Sequence, residues 1–264
     1  MRLGFGIAGG PDVEALAPLA GELERLGFDS VWANDNPMGE GLAMLAGWAG
    51  TSRALYLGLG VLALDRHRPE AIAARVEELG LPRERLLLGL GAGFSEHPVA
   101  AVREGIGALR PLLPGVRLVV AAMGPRMCEL AGEIGDAALL NWMTPERAAW
   151  ARERVRAGER AGGRPEGTVP VYGYVRAAIG EDAGEWLERE SEWYAQAPHY
   201  ARHFAAMGVE AKDVGATAVD PARLTDLLRA YGAYDVAVVR ALAHRSLDDL
   251  LAVARAAMGQ VTTG

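Results

Sequence analysis

The sequence predicts one α/β domain over residues 1–264, a closed (β/α)8 barrel (TIM barrel) of parallel strands with a helical insertion before its eighth strand. Three observations carry that expectation. The apolar runs 55–64 and 86–93 are too continuously hydrophobic for half-exposed strands and suit strands covered on both faces, as in parallel sheets. Between them Ile72, Ala73, Val76 and Leu79 recur at helical spacing, with Arg75, Glu77 and Glu78 on the far side. Strand-like runs of this kind alternate with helical stretches along the chain. Helices ending in Leu-Gly, as at Leu26-Gly27 and Leu79-Gly80, punctuate repeated strand–helix units.

The elements follow in order. Residues 3–8 read as the first strand. A helix over 13–26 carries Leu16, Leu19, Leu23 and Leu26 on one face and stops at Gly27. Strand two spans 29–35 and is followed by a short apolar helix over 41–50. Strand three is 55–64. Pro69 takes a first-turn position in the next helix and Gly80 its left-handed stop. After strand four (86–93), a helix over 99–113 ends at Pro114-Gly115. Strand five is 116–122, and Gly124-Pro125 opens a helix that Gly135 stops. Strand six is 137–143. Thr144-Pro145-Glu146 then reads as a helix start, with Thr as cap and Pro in the first turn. Residues 158–167 read as a polar Gly/Arg linker before strand seven (169–179). Residues 181–208 are helical in pattern, interrupted near Pro198, and the segment up to Arg229 reads as the insertion. Strand eight is 235–242 and the last helix 247–258.

An open dinucleotide-binding sheet competes, because Gly4-Phe5-Gly6-Ile7-Ala8-Gly9 satisfies G-x-G-x-x-G. That fingerprint needs its glycines in the turn after a strand, whereas these lie within the strand itself. The barrel is the better reading. A formal net charge of −7 argues against a nucleic-acid surface or a polybasic membrane patch. The longest uncharged apolar run, 54–64, is far too short to span a bilayer. Cys128 is the single cysteine, which excludes an internal disulfide framework and fits a reducing, cytoplasmic setting.

In a barrel of this kind, chemistry collects at the carboxyl ends of the strands. Here those ends are mostly small or apolar, with no His-x-His pair, H-E-x-x-H or carboxylate cluster, so no metal is expected. No G-x-S-x-G elbow is present, and Lys212 lies in the insertion, away from any strand end. A mouth so poor in acids, bases and ligands suggests that a bound organic cofactor carries the chemistry.

Asp29-Ser30-Val31-Trp32 before Asn34-Asp35, then Arg66-His67-Arg68-Pro69 and Leu88-Gly89-Leu90-Gly91-Ala92-Gly93, resemble the bacterial-luciferase-like flavin and deazaflavin oxidoreductases. The resemblance continues through Ala121-Ala122-Met123-Gly124-Pro125-Arg126-Met127 and Asn141-Trp142-Met143-Thr144-Pro145. Tyr200-Ala201-Arg202-His203-Phe204 with Met207-Gly208 resembles the coenzyme F420 branch.

The resemblance implies hydride exchange between F420 and a small organic substrate, with an FMN-dependent monooxygenase as the alternative. A third reading is a cofactor-free relative that binds a small molecule. The family's tricyclic ring would rest against a bulge in strand three held by a non-proline cis bond, here Gly60–Val61. Alternatively, Gly58 and Gly60 only thin the strand for close packing. Free amides at Gly124-Pro125-Arg126, with the Arg126 guanidinium, make an anion seat for a cofactor phosphate, or else an ordinary helix entry.

Asp35 and Asn36 stand where relatives carry Asp-His. They can order the pocket as catalytic residues or merely cap a helix. His97 is a candidate acid–base group or a solvent-facing residue before Pro98. Phe94 sits near where sugar-phosphate-oxidising relatives carry a catalytic glutamate, which lowers the expectation of that substrate. His67 reads as structural. Arg176 and Arg240 face a cofactor tail or internal carboxylates, and a buried guanidinium there needs a partner. The aromatic insertion (Trp186, Trp193, Tyr194, Tyr200, Phe204) is a core, a lid or the face of a homodimer.

Overall fold

The computed structural model describes residues 1–8, 12–35, 41–242 and 246–260. Eight parallel strands close into the expected barrel: β1 (Arg2–Ile7), β2 (Ser30–Ala33), β3 (Tyr56–Ala63), β4 (Leu86–Gly91), β5 (Arg117–Ala122), β6 (Ala137–Leu140), β7 (Val171–Ile179) and, after a short ninth strand β8 (Ala216–Ala218), β9 (Val236–Ala241). Pairing of the first strand β1 with the last, β9, and of β6 with β7 shuts the cylinder. Around it run α1 (Val13–Leu16), α2 (Pro18–Leu26), α3 (Gly41–Thr51), α4 (Pro69–Glu78), α5 (Pro98–Leu112), α6 (Pro125–Ile134) and α7 (Pro145–Ala161). The remaining helices are α8 (Ala183–Ala195), α9 (Pro198–Met207), α10 (Leu224–Arg229) and α11 (Leu247–Ala257).

Strand alternation splits the core into two layers. Leu57, Leu59, Leu88, Leu90, Leu118 and Val120 point outward and pack under the helices. Trp32, Leu87, Val119, Leu139, Tyr172, Tyr174, Val236 and Val238 fill the cylinder itself. This double burial is why the strands read as unbroken apolar runs.

Local signals set most boundaries. The Thr144 hydroxyl accepts from the Arg147 amide at 3.1 Å and caps α7. Gly27, with φ +89°, ends α2 as a left-handed cap. Four expectations need correction. The helix over 13–26 breaks into α1 and α2, because Pro18 has no amide to continue the ladder. The linker expected from residue 158 begins later: α7 runs to Ala161, and Gly158 lies within it, pressed against the Glu129 carbonyl of α6. Strand six stops at Leu140, since Trp142 turns into the left-handed region at φ +53°. The insertion contains β8, three residues too short to show periodicity, which pairs with the far end of β7. Among the described residues no helix is long and apolar enough to cross a membrane.

Candidate active site

The mouth of the barrel is built from the carboxyl ends of the strands, and its two halves differ. On the β3 side the pairing with β4 shifts register: Leu59 pairs with Leu88, and Leu62 next with Leu90. Two residues, Gly60 and Val61, therefore face one, Gly89. Leu59 and Leu62 both remain in the outer core, so the extra residue turns Gly60 and Val61 together toward the inside. A Cβ on Gly60 would meet Asn34 Oδ1 at 2.5 Å and the Tyr174 hydroxyl at 2.8 Å. Val61 stays 36% exposed although it belongs to a barrel strand, which marks open space above it. Gly91 and Ala121 complete this half with almost no bulk. The bulge is thus where the family resemblance put it, but every peptide bond of the described residues is trans, Gly60–Val61 included. One inserted residue makes the bulge without a cis bond.

The opposite half is crowded and polar. Tyr174 donates to Asn34 Oδ1 at 3.0 Å, and burial drives its phenol pKa up despite Arg240 and Arg176 nearby. Arg176 donates to Asn141 Oδ1 and, at 3.3 Å, to Glu190 of α8. Its guanidinium lies 3.8 Å from the centroid of Trp142. The left-handed turn at Trp142 aims its carbonyl at His203, whose Nε2 donates to it at 2.7 Å. Burial pulls the pKa of His203 down, so the imidazole is a neutral donor. Trp142, Tyr194, Tyr200 and His199 form a run of edge-to-face and tilted rings, and Phe94 from the loop after β4 meets His199 at 6.3 Å. The insertion's aromatics therefore pack over the mouth and reach its far rim.

The predicted site residues distribute unevenly. Asp35 accepts from the Gly41 amide at 3.2 Å, holding the start of α3, while its second oxygen lies 3.2 Å from His67 Nε2. Sequence reasoning read His67 as structural, but here it pairs with a candidate catalytic carboxylate. The Arg66-His67-Arg68-Pro69 motif was the signal that could have found it. Asn36 lies outside the described residues. His97 is exposed at the start of α5, and its side chain makes no cap hydrogen bond. At the end of β5, Gly124 precedes α6 with no side-chain cap, and a Cβ there would meet nothing within 4 Å. Pro125 and Arg126 follow, both exposed. An uncapped helix start with open space at its glycine and an exposed arginine beside it has the electrostatics of an anion seat.

A family model described as luciferase-like monooxygenase matches residues 101–235, just over half of the chain. The chain is 27% identical over 220 residues to 5,10-methylenetetrahydromethanopterin reductase of Methanolobus tindarius, an alignment covering 70% of this chain and 68% of that one. It is 25% identical to the enzyme of the same name from Archaeoglobus fulgidus, covering 60% of this chain but only 58% of that relative's length. Among solved structures it resembles the coenzyme F420-dependent tetrahydromethanopterin reductase of Methanopyrus kandleri, with a TM-score of 0.72, 20% identity and coverage of 97% and 98% of the two chains. An F420-dependent secondary alcohol dehydrogenase in complex with an F420-acetone adduct superposes with a TM-score of 0.74 at 16% identity, covering 96% and 99%.

Proposed function

We propose that this chain, which belongs to the luciferase-like monooxygenase family, is an oxidoreductase that uses coenzyme F420 to exchange a hydride with a small organic substrate. The observation that carries the reading is the asymmetry of the mouth. The Gly60–Val61 bulge faces glycine and alanine neighbours and an exposed apolar floor, and an uncapped helix start with Arg126 stands on the same side. A flat ring with an anionic tail fits that combination of apolar bed and free amides. When bound, the deazaflavin supplies the hydride-carrying ring.

The chain's own residues supply the rest. Gly60 and Val61 would bed the ring, and Gly124, Pro125 and Arg126 would hold the phosphate. Asp35 orients His67, leaving the other ring nitrogen available to hold or pass a proton at the rim. His97, exposed at the start of α5, is the second candidate acid–base group at this rim. Tyr194, Tyr200 and Phe204 pack over the opposite half and exclude water there. The F420-dependent structural neighbours and the reductases among the sequence relatives support this reading over an FMN monooxygenase. Trp193, 66% exposed on α8, supports the expected homodimer. A single buried free cysteine supports residence in the reducing cytoplasm.

The test is separate titration of the pure protein with F420 and with FMN, following tryptophan fluorescence. Quenching by F420 alone is expected. Quenching by FMN alone would transfer the chain to the flavin enzymes, and quenching by neither would leave a small-molecule-binding relative.

A further inference from the structure

The crowded half of the mouth holds two buried cations against one carboxylate. Arg176 and Arg240, exposed by only 2% and 4%, stand opposite each other in register on β7 and β9. Both turn to a single oxygen, Glu190 Oε1, which lies 3.3 Å from Arg176 Nε and 3.7 Å from Arg240 Nη2. Their other partners are neutral: Asn141 Oδ1 and the Trp142 ring for Arg176, and the Ala241 carbonyl, at 2.7 Å, for Arg240 Nη1. Arg240 Nε is buried with no hydrogen-bond partner among the described residues. Guanidinium groups do not deprotonate in proteins. Among the described residues one positive charge is therefore left uncompensated, in a site shielded from water where unpaired charge is costly.

The geometry also shows which edge is free. Nε and Nη2 form one side of the planar guanidinium, the side that grips two carboxylate oxygens in a fork. In Arg240 the first is unpartnered, and the second has only a contact longer than a hydrogen bond. Glu190 is the weak member of the trio. Its side chain is 20% exposed, and it hangs from α8 in the insertion, not from the barrel.

We propose that Arg176 and Arg240 recognise a carboxylate on the substrate, and that Glu190 is a placeholder which this carboxylate displaces. Identifying the ligand as substrate rests on the oxidoreductase reading above; the anion site itself needs no cofactor. Exchanging one carboxylate for another leaves the charge of the trio unchanged, so the gain is geometric. The exchange frees Glu190 toward solvent, where its carboxylate is already partly hydrated, and gives Arg240 the two-oxygen partner it lacks.

The experiment is calorimetric titration of the whole protein with acetate, and with acetamide as the neutral control, at constant ionic strength and without cofactor. Saturable binding of acetate and none of acetamide is expected. Arg240→Gln should weaken acetate at least tenfold, and Arg240→Lys, which keeps charge but loses the fork, by a smaller factor. Glu190→Gln should tighten acetate at least threefold, a gain that a purely structural role for the trio would not produce. Non-saturable acetate binding, unchanged affinity in Arg240→Gln, or weaker binding in Glu190→Gln would each overturn the proposal. If Arg240→Gln does not fold, the Arg240→Lys and Glu190→Gln results decide. F420 is titrated in parallel. Loss of F420 binding with acetate retained would remove the cofactor reading alone. A tenfold loss of F420 affinity in Arg240→Gln with acetate unaffected would reassign the pair to the cofactor tail.

Discussion

The Gly60 carbonyl oxygen lies where a side chain at Gly89 would begin: a Cβ there would overlap that oxygen and stand 2.6 Å from the carbonyl of Leu59. The bulge pushes two residues of β3 onto one of β4, and only a residue without a side chain leaves room. Gly89→Ala must move the backbone of one strand, at a cost of about 3 kcal/mol by the range for overpacked cores. Urea denaturation should show the drop, and F420 affinity should fall with it as Val61 shifts. An unchanged midpoint would show that the bulge yields freely.

Arg126 tests the anion seat separately from stability. Its side chain is exposed at the start of α6, so Arg126→Ala should leave the melting temperature within about a degree, a surface change of under ~0.5 kcal/mol. F420 affinity should fall roughly tenfold, the size of one charge-assisted hydrogen bond. Equal affinity in the variant would remove Arg126 from the seat.

Acid stability should depend on Glu159. Burial alone would raise its pKa, but amides of Gly167 at 2.8 Å and Val169 at 2.6 Å, with Arg156 at 2.9 Å, outweigh burial and hold it below the usual carboxylate value. The unfolded chain binds that proton more readily, so the contribution is complete above the unfolded carboxylate pKa. It is lost as pH falls through the folded one. Glu159→Gln should cost about 3 kcal/mol at neutral pH, since Arg156 is left buried beside it. It should also flatten the acid limb of the stability–pH curve. Parallel curves for the two proteins would contradict this assignment.

Cys128 is fully buried, and desolvation raises its thiol pKa to about 12. Without thiolate or access it should not react with a disulfide reagent at pH 8 in the native state. In denaturant one thiol per chain should titrate. Rapid native labelling would mean that α6 opens locally.

Much of the barrel was legible because its signals are local. Pro69, Thr144 and Gly27 sit at helix ends for reasons contained in a few neighbouring residues. The apolar runs report double burial directly. The site was legible only in outline. The resemblance located the bulge at Gly60–Val61 but misjudged its bond geometry, and His67 was read without its partner Asp35, which lies thirty-two positions earlier.

By itself the sequence determined the eight barrel strands and most of the helices around them, that the strands are parallel and covered, and that the strand ends carry no metal-ligand motif. Periodicity and helix punctuation suffice for that, because they act over one or two turns of chain. Only the tertiary structure decided that Gly60 and Val61 face inward together, and that Trp142 turns left-handed beneath Arg176. It also decided that Arg176 and Arg240 share a single carboxylate. Each of those depends on strand register and on side chains brought together across the barrel, and residues 64 positions apart in sequence carry no local trace of becoming neighbours.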